Sequence, residues 1–203
     1  MDLIVVRHAR PVRQVVEEGE GADPELSEIG REQAARTADF LGGEGIDHVV
    51  PSTMLRARQT AQPLAEKLGL EVEQVDDLKE SDHRSNAYVP SEEMSPDDPA
   101  TAHYFHGNLH DAVFSDGYGD FEHRVVRGFQ HVIDTQRSKR VAVFCHGMVT
   151  MVYLRTILGI DDVFSLTVDY CGINRIRAAS SGARTVRSVN ETHHVRDLID
   201  WDA

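Results

Sequence analysis

The sequence predicts an α/β fold, a three-layer α/β/α sandwich around a mostly parallel central sheet. Short apolar runs rich in Val and Ile alternate with segments whose apolar residues recur at helical spacing. Most connections between them are short, as repeated βα units require, and glycines stand where the helical patterns stop.

The elements follow in order. Leu3, Ile4, Val5 and Val6 read as a buried strand over about residues 2–7, followed by a polar loop rich in Glu and Gly at 17–25. Ser27 suits an N-cap for a helix that ends near Gly42-Gly43. Ile46 to Pro51 reads as a second strand. Ala57, Ala61, Leu64, Ala65 and Leu68 then mark the buried stripe of a helix closed by Gly69. A third strand is expected near residues 71–75. Beyond Glu80 the pattern dissolves into polar chain with Pro90, Pro96 and Pro99, until Phe121 opens a helix to about Gln136. A strand ending at Phe144, a helix from Gly147 to about Leu158, and a terminal pair at 173–178 and 185–189 turned by Gly182 complete the chain. We read residues 1–203 as a single domain with a small lid insertion at about 82–122.

Composition restricts the function. The 203 residues suffice for one sizeable core. With 21 basic against 34 acidic residues, the formal charge of −13 repels nucleic acid and anionic lipid. Any anion site must be local, which favours a small phosphorylated substrate over a polyanion. No apolar run approaches the roughly 20 residues of a membrane span, so a cytoplasmic protein with no membrane partner is expected. Cys145 and Cys171, the only cysteines, lie in apolar or glycine-flanked stretches and read as reduced core thiols.

The chemistry is concentrated at element junctions. Arg7-His8 follows the first strand, His146-Gly147 follows a later one, and Arg56 opens a helix. Ligands of open α/β sheets bind at the carboxyl ends of the strands, so two histidines and two arginines should meet in one anion pocket. An imidazole nitrogen beside a guanidinium clamp has the parts needed to attack a phosphoryl group. His103, His106 and His110 have a spacing open to zinc, but no cysteine or carboxylate motif completes such a site, and solvated lid residues are the expectation. Cys145 beside His146 suggests a cysteine phosphatase. That chemistry wants an arginine where Met151 stands, and the reading is rejected.

Arg7-His8-Ala9, Arg56-Ala57 and His146-Gly147, in this order and context, resemble the motifs of the histidine phosphatase superfamily, the group that includes the cofactor-dependent phosphoglycerate mutases. Leu26-Ser27-Glu28-Ile29-Gly30-Arg31-Glu32-Gln33-Ala34 is similar to the family's first helix, and Asn190-Glu191-Thr192-His193-His194 to its C-terminal segment. The resemblance implies the phosphoglycerate mutase-like form of the three-layer sandwich. It makes His8 the nucleophile that forms a phosphohistidine, with Arg7, Arg56 and His146 holding the phosphoryl oxygens. Arg56 is preferred to Arg58 because the family's arginine precedes alanine. The family's Leu-x-Glu element maps onto Leu78-Lys79-Glu80, making Glu80 the proton donor and Asp82 the reserve. The backbone N–H groups from Gly147 onward add to the anion site. The scheme uses no metal and no cofactor.

The departures bear on specificity. Ala9 replaces the usual glycine. Arg10-Pro11-Val12-Arg13 lacks the Thr and Asn that many members use to hold phosphate, so Arg10 or Arg13 is expected to substitute. The lid lacks mutase-like residues after Glu80. The expectation is therefore a metal-independent phosphomonoesterase of the histidine acid phosphatase type, acting on small phosphate esters. The alternatives are a cofactor-dependent phosphoglycerate mutase-type phosphotransferase and a non-catalytic phospho-ligand-binding protein. Substrate identity stays open, as does assembly into a homodimer.

Overall fold

Unbroken apolar runs at residues 3–6 and 141–145 leave those strands no solvent-facing side, and the structure covers both faces with helices. This computed structural model describes residues 1–115 and 117–199; position 116 of the expected lid and the end of the expected domain lie outside them. The chain runs β1 (Asp2–Arg7), β2 (Gln14–Val15), α1 (Glu28–Leu41), β3 (His48–Pro51), α2 (Leu55–Leu68), β4 (Ala87–Tyr88), α3 (Ala102–Phe105), α4 (Leu109–Val113), α5 (Tyr118–Thr135), β5 (Arg140–Cys145), α6 (Gly147–Leu158), β6 (Ile173–Ala178) and β7 (Arg184–Glu191).

Among the described residues the main sheet has five strands in the order β3-β5-β1-β6-β7. β3, β5 and β1 pair in parallel; β6 runs antiparallel to β1 and β7 antiparallel to β6, so β6 alone points the other way. Leu3, Val5, Val141 and Val143 pack with Val125, Phe129 and Val152 from α5 and α6. Ile4, Val6, Ala142 and Phe144 turn to the opposite face, against Ala38, Leu41, Ala61 and Leu64 from α1 and α2. The period-two alternation of β1 and β5 thus serves two cores at once.

Local signals set the helix ends. Ser27 Oγ accepts from Gly30 N at 3.1 Å and donates to the Arg10 carbonyl at 3.0 Å, capping α1 and tying it to the loop after β1. Gly69 and Gly159 end α2 and α6 in the left-handed region. Gly182 turns β6 into β7 with φ +93°. Among the described residues no helix is long and apolar enough to cross a membrane.

Three elements differ from the sequence reading. The expected strand at 71–75 reduces to two isolated parallel bridges, Val49 with Val72 and Ser52 with Val75. Its alternation is too brief to extend the ladder. α5 begins at Tyr118, so the irregular insertion is shorter than 82–122. That insertion is also structured: β4 pairs antiparallel with β2, and Val16 N and Ala22 N donate to the carbonyls of Asn86 and Ser85 at 2.8 and 2.7 Å. Two-residue strands carry too little periodicity to be read from sequence.

Gly30 marks where α1 touches the loop that follows His8, since a Cβ there would lie 2.0 Å from the Arg10 carbonyl oxygen. Gly30→Ala should therefore destabilise the protein by about 2 kcal/mol, the cost of overpacking against backbone outweighing a helix-propensity gain of about 1 kcal/mol. Urea denaturation decides the sign, and a stabilised variant would contradict the close approach.

Candidate active site

The parallel register brings three junction residues to one edge of the sheet. Arg7 pairs with Cys145 and Pro51 with Phe144 at the ends of β1, β3 and β5. Hydrogen bonds from His8 N to Cys145 O and from Ser52 N to Phe144 O, both 2.8 Å, carry the ladder one residue further. His8, Ser52 and His146 therefore sit side by side at the carboxyl ends, as the topology requires. The His8 and His146 rings lie 5.1 Å apart, and both residues are buried.

Hydrogen bonds fix each ring. His8 Nδ1 donates to its neighbour's carbonyl, Ala9 O, at 2.8 Å, which leaves Nε2 as the lone-pair nitrogen. Arg56 Nε donates to that nitrogen at 3.3 Å, a long bond that a group attached at Nε2 would take over. Ser52 Oγ accepts from Met54 N at 3.3 Å and lies 2.9 Å from His146 Nε2. The arrangement that uses the serine hydrogen puts the proton of His146 on Nδ1, where it has no protein partner. Ala9, in the place of a glycine, is fully buried and donates through its N–H to Thr60 Oγ1 at 2.9 Å. The substitution removes no polar group.

Both guanidiniums lie over tyrosine rings: Arg7 is 4.1 Å from the Tyr170 centroid and Arg56 is 4.6 Å from that of Tyr88. Arg7 Nη1 donates to Val168 O at 2.7 Å and Arg56 Nη2 to Asp82 Oδ1 at 2.9 Å. Yet Arg7 Nε, Arg56 Nη1 and His146 Nδ1 are buried with no protein acceptor. Buried donors are ordinarily satisfied, so three of them around His8 describe a site for an oxyanion. Gly147 opens α6 beside Arg7 with no side chain capping the helix, which brings its N-terminus to the same site. Arg58, by contrast, is exposed.

Glu80 is the carboxylate at this site. It is buried, and its two oxygens accept from Ser81 N and Met148 N at 2.9 Å each. Arg124, from α5, donates to the carbonyls of Asp77, Lys79 and Glu80 at 3.0, 2.7 and 3.2 Å, anchoring the segment that carries it.

The charges respond to burial. Desolvation, reinforced by Arg56, holds both histidines well below their ordinary pKa, so the rings are neutral. Desolvation also raises Glu80, with the Asp82 charge adding to it against the two N–H bonds and Arg56. A neutral imidazole lone pair, an anion cradle and a carboxyl inclined to keep its proton are the components of phosphoryl transfer to nitrogen. The Cys145 thiol is pushed up to about 12 by burial, which leaves it without nucleophilic character.

Arg10 and Arg13 do not line the cavity that holds His8 and Arg56, although Arg10 lines the adjoining one with Arg7. Arg10 pairs with Glu92 and Glu93, and Arg13 with Asp98 at 3.1 Å, so both arginines expected to hold phosphate bind carboxylates of the 91–98 segment. His103 and His110 lie on separate short elements: His103 lies against Tyr104, and His110 against Phe114 and Tyr118. Among the described residues no His, Cys, Asp and Glu cluster has metal-binding geometry. His193 and His194 pack on Phe40, and burial lowers His194 to about 4. Ser52, Tyr88, Tyr170 and Arg124 escaped the sequence reading. For Ser52 a signal existed, since it follows its strand as His8 and His146 follow theirs.

The profile of the histidine phosphatase superfamily (branch 1) matches residues 3–192. The chain is 32% identical over 152 residues to phosphoglycerate mutase-like protein 4 of Arabidopsis thaliana, covering 72% of this chain and 66% of that protein. To phosphoserine phosphatase 1 of Hydrogenobacter thermophilus it is 30% identical over 162 residues, covering 78% and 77%. It spans about half, 54%, of the length of a bifunctional Mycobacterium tuberculosis relative. A crystal structure of phosphoserine phosphatase from Entamoeba histolytica superposes with a TM-score of 0.71 at 20% identity, covering 95% of this chain and 98% of that one. Family motifs, mixed five-stranded sheet and matched profile agree: the chain belongs to branch 1 of the histidine phosphatase superfamily.

Proposed function

We propose that the protein is a metal-independent phosphomonoesterase of the acid phosphatase type, working through a phosphohistidine on small phosphorylated substrates. The observation that carries this is the set of three partnerless nitrogens, Arg7 Nε, Arg56 Nη1 and His146 Nδ1, around the unprotonated Nε2 of His8. The phosphoserine phosphatase relative supports hydrolysis over transfer, and a carboxyl in the same cavity as His8 speaks against a pocket that only binds.

In the first step His8 Nε2 attacks phosphorus in line, and the bond from phosphorus to the leaving oxygen breaks. Glu80 gives its proton to that oxygen. Charge on the equatorial oxygens meets the Arg7 and Arg56 guanidiniums, His146 Nδ1–H and the N-terminus of α6. In the second step water attacks the phosphohistidine, its proton passes to the Glu80 carboxylate, and the N–P bond breaks to release phosphate and neutral His8. The arginines supply the positive charge that a metal gives other phosphatases.

The active form pairs neutral His8 with protonated Glu80. Lowering the first pKa and raising the second both favour it at mildly acidic pH, and activity should fall as pH rises through the elevated pKa of Glu80. Replacing Asp82 by Asn removes the anion that helps raise Glu80, so the alkaline limb of kcat/KM should move to lower pH. A limb that stays put would exclude Glu80 as the proton donor.

His8→Ala should abolish hydrolysis of an aryl phosphate in excess EDTA by on the order of a thousandfold or more, together with the acid-labile adduct seen by mass spectrometry of quenched wild type. Turnover persisting in the variant would overturn the mechanism. Ser52→Ala frees His146 to turn or change tautomer. Inorganic phosphate should then bind about tenfold more weakly by calorimetry, a loss of about 1.4 kcal/mol. Undiminished affinity would remove Ser52 from the site.

A further inference from the structure

Beyond His8 the cavity changes character. Its volume is about 220 Å³, and besides the cradle residues it is lined by Val89, Met94, Tyr104, Leu109 and Val113 from the segment between β4 and α5 and by Met148 at the start of α6. Two of the hydroxyls that line it are engaged within the protein. Thr101 Oγ1 donates to Ser95 O at 2.8 Å while accepting from Ser95 N at 3.1 Å, and Ser91 Oγ donates to Glu92 at 3.3 Å.

Charge is the second discriminant. Among the described residues lining this cavity, Arg7 and Arg56 are the only Lys or Arg side chains, and both are placed for the phosphoryl oxygens. The other ionisable side chains there besides His8 and the tyrosines are Glu80, which holds the proton for the leaving oxygen, and Asp82, which is paired with Arg56. A carboxylate or second phosphate on the leaving group would therefore find no free cation in this cavity to meet it. Arg10 and Arg13, the nearby candidates, are held by Glu92, Glu93 and Asp98. A larger adjoining cavity of about 800 Å³ shares Arg7 and Glu80, but His8 and Arg56 do not line it. Asp169 and Asp197 line it as well, beside the already paired Arg10.

From this division of the cavity we infer that the substrates are phosphate monoesters of uncharged, apolar or aromatic alcohols, and that Tyr104 and Leu109 are specificity-determining residues. Phosphoserine and phosphoglycerates, acidic in their leaving groups, are disfavoured. The inference rests on the phosphomonoesterase reading and adds the substrate class to it.

The test compares 2-phenylethyl phosphate with 3-phosphoglycerate, both esters of aliphatic alcohols, so that leaving-group reactivity does not by itself decide the outcome. Wild type should favour the phenylethyl ester in kcat/KM by about a hundredfold or more. Leu109 is 43% exposed, so an arginine can replace it without burying its charge. Leu109→Arg should narrow the ratio about tenfold by raising kcat/KM for 3-phosphoglycerate, equivalent to about 1.4 kcal/mol. Tyr104→Ala should lower kcat/KM for the phenylethyl ester about tenfold and that for 3-phosphoglycerate by less, narrowing the ratio. A wild-type ratio near one, or inverted, overturns the inference and leaves the phosphatase standing. A high ratio that neither variant moves removes Tyr104 and Leu109 from the assignment. No turnover of either ester, with no adduct on His8, overturns the catalytic reading and the substrate class with it.

Discussion

Burying a guanidinium costs several kcal/mol unless its charge and donors are met, and the pocket is arranged around the way Arg56 meets that cost. Arg56 is fully buried. One terminal nitrogen pairs with Asp82, the guanidinium lies over Tyr88, Nε touches His8, and the remaining nitrogen has no protein partner. The consequences spread from there. Asp82, held by Arg56, helps keep Glu80 from ionising, and the Arg56 charge helps keep His8 and His146 neutral. One buried cation thereby helps keep both histidines neutral, while its own pull on Glu80 opposes that of the Asp82 charge it holds in place.

The scaffold's contribution is register. Because β3, β5 and β1 run parallel and in step, the residue after each strand reaches the same edge, and no long loop is needed to assemble the chemistry. Around that edge the parts are braced by groups with no chemistry of their own. Thr60 holds the Ala9 amide, Gln33 Oε1 accepts from Arg10 N at 2.9 Å, and Arg124 gathers three carbonyls around Glu80. The orientation of the reacting side chains depends on this outer layer as much as on their own rotamers.

What sequence made legible follows from how far each signal reaches. β1, β5, α2 and α6 were readable because their apolar periods are long and their ends are marked by glycine or by a charged residue after an apolar run. Arg7, His8, Arg56 and His146 were readable because each sits at such an end. The ion pairs of Arg10 and Arg13 were not readable, for the opposite reason: their partners lie about eighty residues on, in a segment whose path no local pattern encodes. The same holds for β2 with β4, and for Tyr88 and Tyr170, whose place beside the arginines depends on tertiary packing alone. Asp82 was readable only as a second choice to Glu80; that the two carboxylates divide the work, one pairing with Arg56 and the other facing the α6 amides, needed coordinates.

The central position of β1 has a consequence for how the protein comes into being. Asp2 lies opposite Arg140 on one side and Arg177 on the other, so the strand that carries His8 finds its neighbours only in the last third of the chain. Pairings this distant in sequence are slow to form, because much of the chain's entropy must be surrendered before they repay it. In synthesis His8 precedes β5 and β6, the strands that complete its pocket. Until β5 and β6 arrive, Leu3 to Val6 is an unpaired apolar strand that depends on prompt completion, or on protection, to avoid association with other chains.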